Sequence, residues 1–469
     1  MYLSNKTNYE KFIFLRKEYS EFIFESFDYS FKDDGLHIVF EFSVDQKHHF
    51  SPSLLYPYNS HFTPKLKIEI EELNTLIFNM GMIELISYWK AICPKKIIVK
   101  PYKLTPSQIE FWKKIYYHGL GEFFYLNNIK TNIEDFVEIS PEAENLAPKV
   151  EFIMSETEMI PIGGGKDSVV SLELIKGMKK EAVPLIMNPR GASLNSAYAA
   201  GYKDEDIIFI YRKIDKHLLE LNSQGYLNGH TPFSAMLAFS GLIAGKLCNI
   251  PNMALSNESS ANESTIAGED INHQYSKTIE FESDFRNYVK ENISEIFNYY
   301  SLLRPLSELQ IAALFSLESK YNRVFRSCNV GSKTDSWCGK CPKCLFTFIM
   351  MSPFLTISEL EQIFGKNLFQ DEELLEYFKE LSGISENKPF ECVGTVDEVN
   401  IALAYTAQFV YKKDKIPYLL DYYLKTDKFK TFKNIDLNKA LEQFDNEHFL
   451  NNSNFNFIKE RLQWASSKR

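Results

Sequence analysis

The spacing of apolar and polar positions changes character along the chain. Phe22 to Phe31 and Leu36 to Val44 alternate apolar and polar residues around Lys32-Asp33-Asp34-Gly35, which predicts a β-hairpin. Glu71 to Ile92 has the period of a helix, and Lys96 to Val99 reads as a short strand. Thr105-Pro106-Ser107-Gln108 supplies an N-cap, a first-turn proline and a capping-box partner for a further helix. Residues 1–150 are therefore expected to form an α+β domain, ending near the polar, proline-containing stretch Asn145 to Pro148.

From 151 to 350 strands and helices alternate. Glu158 to Ile162, Val183 to Met187, Ile207 to Tyr211 and Met253 to Leu255 are expected as parallel strands. Thr231-Pro232 is expected to cap the helix before the last of these. Residues 351–469 are expected to be mainly helical, with Leu360, Ile363, Leu374, Tyr377 and Phe378 on core faces. The fold class is thus α/β, and three regions suit a chain of 469 residues.

The first strand of the central region runs into Gly163-Gly164-Gly165-Lys166-Asp167-Ser168, which opens a helix carrying Val169, Leu172, Ile175 and Met178 on one stripe. Glycines allow close approach of backbone to an anion, and a helix start aims unpaired N–H groups and a dipole at it. A Walker loop is excluded, because Lys166 is followed by Asp167 rather than Ser or Thr. The dinucleotide fingerprint is excluded too, since Ser168 stands where its third glycine belongs. Gly164-Gly165-Lys166-Asp167-Ser168 resembles the PP-loop of ATP pyrophosphatases, with Gly163 in place of that family's first serine. The resemblance implies a parallel-sheet, adenine nucleotide alpha hydrolase-like (HUP) core that holds ATP pyrophosphate on Gly163 to Ser168. Lys166 either adds charge to that cradle or points to solvent.

Composition narrows the partners. Hydrophobic residues make up 45% and charged residues 24%, as in ordinary globular proteins. The net charge of −10 and the lack of a long basic block disfavour a nucleic-acid partner. The apolar stretch Phe233 to Cys248 is interrupted by Lys246 and is too short to span a bilayer. The N-terminus has no signal-peptide pattern, so a cytoplasmic location is expected.

In a reducing compartment, Cys328, Cys338, Cys341 and Cys344 read as a structural Zn²⁺ knuckle rather than as disulfides. Lys333, Lys340 and Lys343 are placed to offset the thiolate charge. Cys93, Cys248 and Cys392 are isolated in sequence.

Two polar segments follow the last predicted strand. One is Ser256-Asn257-Glu258-Ser259-Ser260-Ala261-Asn262-Glu263, at the end of the strand where α/β ligands sit. The other is Asn272-His273-Gln274-Tyr275-Ser276-Lys277, in which a helix would place His273 and Lys277 on one face. His273, Tyr275 and Lys277 are capable of acid–base work, with His230 a more distant candidate, while His118 and His217 read as surface residues.

These segments, the glycine loop, the Cys338–Cys344 knuckle and Lys388-Pro389-Phe390-Glu391-Cys392-Val393-Gly394-Thr395 occur here in one order. Together they resemble the UDP-N-acetylmuramoyl-L-alanyl-L-glutamate epimerase (MurL) family of peptidoglycan synthesis, over nearly the whole chain. The resemblance implies that ATP and Mg²⁺ activate the α-carboxylate of the terminal L-glutamate as an acyl-adenylate. Proton removal, return on the other face and hydrolysis then give D-glutamate, AMP and pyrophosphate. Asp167 is expected to meet Mg²⁺ or to fix the loop, Glu258 is a candidate second carboxylate for the metal or a surface-loop residue, and Asn257, Glu258, Asn272 and Glu280 are candidate contacts for the UDP-N-acetylmuramoyl-dipeptide. His273, Tyr275 and Lys277 become the candidates for the α-proton, and Cys392 is either a second base or a buried structural thiol. Two alternatives stay open: ATP-dependent amide or nitrile formation of the 7-cyano-7-deazaguanine synthase kind, and a non-catalytic nucleotide-binding scaffold. Oligomeric state is not legible from the sequence.

Overall fold

The computed structural model describes residues 3, 5–262, 272, 274–328, 330–385, 389, 391, 393–411 and 415–467. The strands are β1 (Glu21–Lys32), β2 (Gly35–Val44), β3 (His48–Phe50), β4 (Ser53–Pro57), β5 (Lys96–Val99), β6 (Glu138–Pro141), β7 (Glu158–Pro161), β8 (Ala182–Met187), β9 (Ile208–Lys213), β10 (Asn252–Leu255) and β11 (Asn298–Ser301). The chain forms two compact units. The first comprises Met1–Met159, Asp204–Met253 and Ile271–Tyr299; the second comprises Ile160–Lys203, Ala254–Asp270 and Tyr300–Arg469.

In the first unit the strand order is β9–β4–β2–β1–β5–β6, with β3 also paired to β2. The hairpin lies where the alternation predicts it, with Lys32 opposite Gly35 and Phe22 opposite Val44. β1 pairs parallel with β5, while β2 with β4 and β4 with β9 are antiparallel. On one edge β9 has the antiparallel β4, with Leu54 opposite Arg212, a neighbour the sequence does not predict. Ile208 and Ile210 are inside while Tyr211 is exposed, and antiparallel strands tolerate one wet face.

Every residue from Thr75 to Ile92 of the helix Ile70–Ile92 is buried, so this helix is the axis of the first core. It carries Glu84 inward, and the guanidinium of Arg212 grips that carboxylate through Nε and Nη2 at 2.8 Å each. Burial alone would weaken the Arg212 charge, but Glu84 more than offsets this and holds it raised.

Thr231 does not cap the next helix through its hydroxyl. The helix is Phe233–Cys248 with Pro232 in the cap position, and the Phe233 N–H reaches the Thr231 carbonyl at 2.7 Å. Pro232 has ψ 77° and so lies outside the helix, which starts one residue later than Thr231 could cap.

His217 is not an ordinary surface residue. Its Nε2 lies 2.8 Å from His48 Nδ1, and His48 Nε2 lies 2.9 Å from the Tyr19 hydroxyl. Two imidazoles sharing a hydrogen bond cannot both be charged without repulsion. Burial first, then His217, holds His48 below its ordinary value of 6.5. The unfolded chain therefore binds more protons here, so this contribution is complete above pH ~6.5 and is lost as pH falls below it. We expect the denaturation midpoint of the protein to drop between pH 7 and 5 more steeply than that of His48→Phe. Equal slopes in chemical denaturation series would contradict this.

In the second unit the Ile162 N–H donates to the Leu185 carbonyl at 2.8 Å, setting the exit from β7 beside β8. The helix Glu308–Phe315 is buried along its whole length and packs on the helices Lys166–Gly177, Pro342–Met351 and Asn452–Ser467. Of the C-terminal core positions expected from periodicity, Leu360, Ile363, Leu374 and Phe378 are buried. Tyr377 is exposed, because the helix Leu375–Leu381 turns its Phe378 and Leu381 face inward. Among the described residues no helix is long and apolar enough to cross a membrane.

Candidate functional site

The glycine loop leaves β7 and enters the helix Lys166–Gly177, whose N-cap is Gly165 and has no side-chain cap. The first N–H groups of that helix thus lack intrahelical acceptors at the point where the dipole is positive. Gly164 has φ +88°, and a Cβ there would lie 2.6 Å from the backbone of Ala192 and Ser193. Only glycine fits both constraints. At Gly163 a Cβ would meet nothing within 4 Å, so the position that differs from the PP-loop spelling has room for the missing serine. The Gly164 carbonyl accepts from the Arg326 N–H at 2.8 Å. Ser168 Oγ donates to the Gly165 carbonyl at 3.1 Å and keeps its lone pairs for another donor.

Lys166 does not reach solvent but turns inward. Its side chain is 4% exposed, and Nζ donates to both Asp167 and Glu308. Glu308, the first residue of its helix, donates its own N–H to Glu398 Oε1 at 2.6 Å. Glu398 Oε2 takes the Thr395 N–H at 2.6 Å, and Thr395 caps the helix Val396–Tyr405. Glu258 is buried nearby and, with Asp167, adds repulsion at Glu308. Burial raises the Glu308 carboxyl, and the charge of Lys166 beside it pulls the other way. Burial would depress Lys166, but Asp167 and Glu308 outweigh it and hold the ammonium charged. Several carboxylates thus crowd around one lysine at the foot of the glycine loop. Asp167, with 33% of its side chain exposed, is the member at the surface.

The polar run after β10 is built into the same unit. Asn257 Nδ2 donates to Ser301 Oγ at 3.1 Å, and the buried Arg304 donates to the Glu258 carbonyl at 2.8 Å. Ser259 ties to the Leu306 carbonyl through both N–H and Oγ.

Asn272, Tyr275, Lys277 and Glu280 belong to the first unit, whereas His273, Glu263 and Cys392 lie outside the described residues. Tyr275–Lys277 is a 3₁₀ turn, and the helix begins only at Ile279 behind the Thr278 cap. A helix through Lys277 is therefore not formed, because Thr278 accepts from the Phe281 N–H and fixes the start there. Tyr275 is buried and stacks on His118 with ring centroids 4.9 Å apart, so His118 too is more than a surface residue. Lys277 Nζ lies 3.4 Å from Gln274 Oε1, Asn272 Oδ1 takes the Gln274 N–H, and Glu280 pairs with Lys114 at 2.6 Å. His230 Nδ1 lies 3.7 Å from Glu122.

The four clustered cysteines converge. All their sulfur atoms lie within 4.8 Å of one another, with Cys341 and Cys344 3.4 Å apart and Cys338 and Cys344 3.7 Å apart. Thiolates on one tetrahedral ion at ~2.3 Å bonds stand about 3.8 Å apart, so the set fits zinc. Cys328 Sγ accepts the Gly331 N–H at 3.1 Å and Cys338 Sγ the Lys340 N–H at 3.4 Å. Lys340 thus contributes its backbone, while its ammonium lies 3.9 Å from Glu373.

Glu308, Glu398 and Arg304 were not singled out by the sequence. Ser307-Glu308-Leu309-Gln310 and Thr395-Val396-Asp397-Glu398 spell capping boxes and could have located two helix starts. That Glu308 faces Lys166 across 142 positions of chain is a tertiary fact with no local signal.

The comparisons with known proteins agree on one family. The model of the MurL N-terminal domain matches residues 13–302, and that of the MurL C-terminal domain matches residues 320–421. A protein of Micromonospora sp. named UDP-N-acetyl-alpha-D-muramoyl-L-alanyl-L-glutamate epimerase is 33% identical over 354 residues, 74% of this chain and 77% of its own. Proteins of the same name from Xanthomonas oryzae pv. oryzae (34%; 72% of this chain, 76% of its own) and Salinispora tropica (33%; 73% and 75%) are similar to the same extent. No solved structure matches the chain. With the two domain models in order and a third of the residues identical over most of its length, the chain belongs to the MurL family.

Proposed function

We propose that this protein is an ATP-dependent epimerase acting on UDP-N-acetylmuramoyl-L-alanyl-L-glutamate, and that its second unit is a PP-loop nucleotide domain. The observation that carries the ATP step is the uncapped, glycine-lined helix start above the Lys166–Asp167–Glu308 cluster, in a chain of this family.

The chemistry explains why a nucleotide is needed. A free α-carboxylate resists loss of the neighbouring proton because the product would be a dianion. Joining its oxygen to the α-phosphorus of ATP, with pyrophosphate leaving, removes that charge and lets the enolate delocalise. N–H groups of Gly163 to Ser168 hold the leaving group where its charge develops. Lys166, tied inward, orients Asp167 rather than touching phosphate. Asp167 and Glu258 are the residues that would hold Mg²⁺, whose charge offsets that of the phosphates. His273, Tyr275 and Lys277 are the acid–base groups offered by the 272–277 segment, and Asn257, Glu258, Asn272 and Glu280 are polar contacts for the substrate. Hydrolysis of the adenylate then gives D-glutamate and AMP.

The account requires AMP and pyrophosphate to form together with net epimerisation of the substrate, and not in its absence. Epimerisation without AMP would remove the ATP step. AMP with an amide or nitrile product and an unchanged stereocentre would favour the alternative carboxylate chemistry.

Zinc is assigned to Cys328, Cys338, Cys341 and Cys344, where it would brace the turn leading into the helix Pro342–Met351. One zinc per chain is expected by elemental analysis. Cys344→Ser, at a fully buried ligand, should lose the metal and lower the melting temperature; a metal-free wild-type protein of full stability would contradict the assignment.

A further inference from the structure

We propose that Arg326, with Ser327 and the start of the helix Gly191–Ala199, forms the outer wall of the phosphate cradle and binds the departing pyrophosphate. The inference rests on the ATP reading above and adds a residue that neither the glycine loop nor the cysteine cluster includes.

Arg326 is fixed to the loop by its own backbone, since its N–H holds the Gly164 carbonyl at 2.8 Å. The next residue reaches the following glycine: Ser327 Oγ lies 2.9 Å from where a Cβ of Gly165 would stand. On the other side Gly164 abuts Ala192 and Ser193, the first turn of the helix Gly191–Ala199. Two helix starts therefore meet at Gly164, and Arg326 lies at the same place.

The guanidinium is only partly satisfied. One Nη1 contact reaches the Phe325 carbonyl at 2.6 Å, whereas Nε is buried and finds no acceptor among the described residues. Burial weakens the charge and Asp335 restores part of it. Asp335 is itself engaged by Asn195 Nδ2 at 3.3 Å, beside Gly191. A buried guanidinium N–H without an acceptor is costly, and arginine is the side chain that best matches phosphate oxygens in a fork. An anion on the loop would supply the missing acceptor.

In the adenylation step the carboxylate oxygen forms a bond to the α-phosphorus and the bond to the bridging oxygen breaks. The electron pair goes to pyrophosphate, and Arg326 stabilises the charge that appears there.

The test uses the full-length protein with ATP, Mg²⁺ and the UDP-dipeptide. Arg326→Met is expected to slow AMP formation by roughly 100-fold or more, and Arg326→Lys, which keeps charge but not the fork, by at least about tenfold. The readout that a structural role would not move is product inhibition: inorganic pyrophosphate should inhibit Arg326→Lys at least about tenfold more weakly, with KM for the UDP-dipeptide unchanged. Arg323→Met, at an exposed position, serves as the control. Wild-type rates and wild-type pyrophosphate inhibition in Arg326→Lys would overturn the inference while leaving the ATP reading intact. A wild-type protein that forms no AMP would instead remove the reading on which it rests.

Discussion

Lys166→Met is expected to cost the protein about 3–5 kcal/mol of stability and to abolish ATP-dependent turnover. Lys166 is the cation that holds both Asp167 and Glu308, and its side chain and that of Glu308 are almost fully buried. Removing it leaves carboxylates facing one another in a poorly hydrated site. They must either take up protons or separate. Lys166→Met combined with Glu308→Leu should recover most of the stability, because an apolar pair can replace a buried ion pair, but should not recover activity. That separation distinguishes a functional cluster from a merely structural one. Thermal melts and AMP release on the two variants provide the check, and an active double variant would show that the pair has only a packing role.

Gly164→Ala should be the most damaging change within the loop. At φ +88° a Cβ carries strain of roughly 1–3 kcal/mol, and here it would also press on the Ala192–Ser193 backbone at 2.6 Å. Relief requires the loop to move away from the second helix start. A displacement of an ångström at a reacting group lowers rates by about 100-fold, so AMP formation should fall at least that far. Gly163→Ser, at a position open to 4 Å, should be tolerated with near-normal stability. If both substitutions behaved alike in melting and turnover assays, the loop geometry would not be the determinant it is taken to be.

What the sequence disclosed followed from how local each signal was. The hairpin around Lys32–Gly35, the strand at Lys96–Val99 and the Thr105 capping box depend on neighbouring residues and are found where predicted. The glycine loop is likewise a local feature, because Gly164 and its neighbours alone determine how a backbone can turn into a helix. The destination of a long side chain is not local. Lys166 could be read toward phosphate or solvent, and only the arrival of Glu308 from a distant helix decides that it turns inward. The pairing of β9 with β4 and the contact of Tyr275 with His118 are of the same kind, fixed by packing rather than by spelling. Arg212 on Glu84 could not be anticipated either, since a charge buried on a central helix contradicts the pattern by which that helix is recognised.

The Lys388–Thr395 motif shows the middle case. Its spelling pointed to the family, and Gly394 and Thr395 prove to sit against Glu398 and Glu308, beneath the loop. A Cβ on Gly394 would stand 2.8 Å from Glu398 Oε2 and 3.1 Å from the Glu308 side chain. The motif thus has a physical reason at its C-terminal end, which is to let a chain segment approach the carboxylate cluster.

The central claim is that nucleotide chemistry at the loop makes the glutamate α-proton removable. Its most direct test is deuterium uptake at that carbon, in heavy water, with UDP-N-acetylmuramoyl-L-alanyl-L-glutamate, Mg²⁺ and the wild-type protein. The account predicts uptake with ATP, none without it, and none with ATP in the Lys166→Met, Glu308→Leu variant. Uptake that proceeds equally without ATP, or its absence from the folded wild-type protein with ATP present, would contradict it.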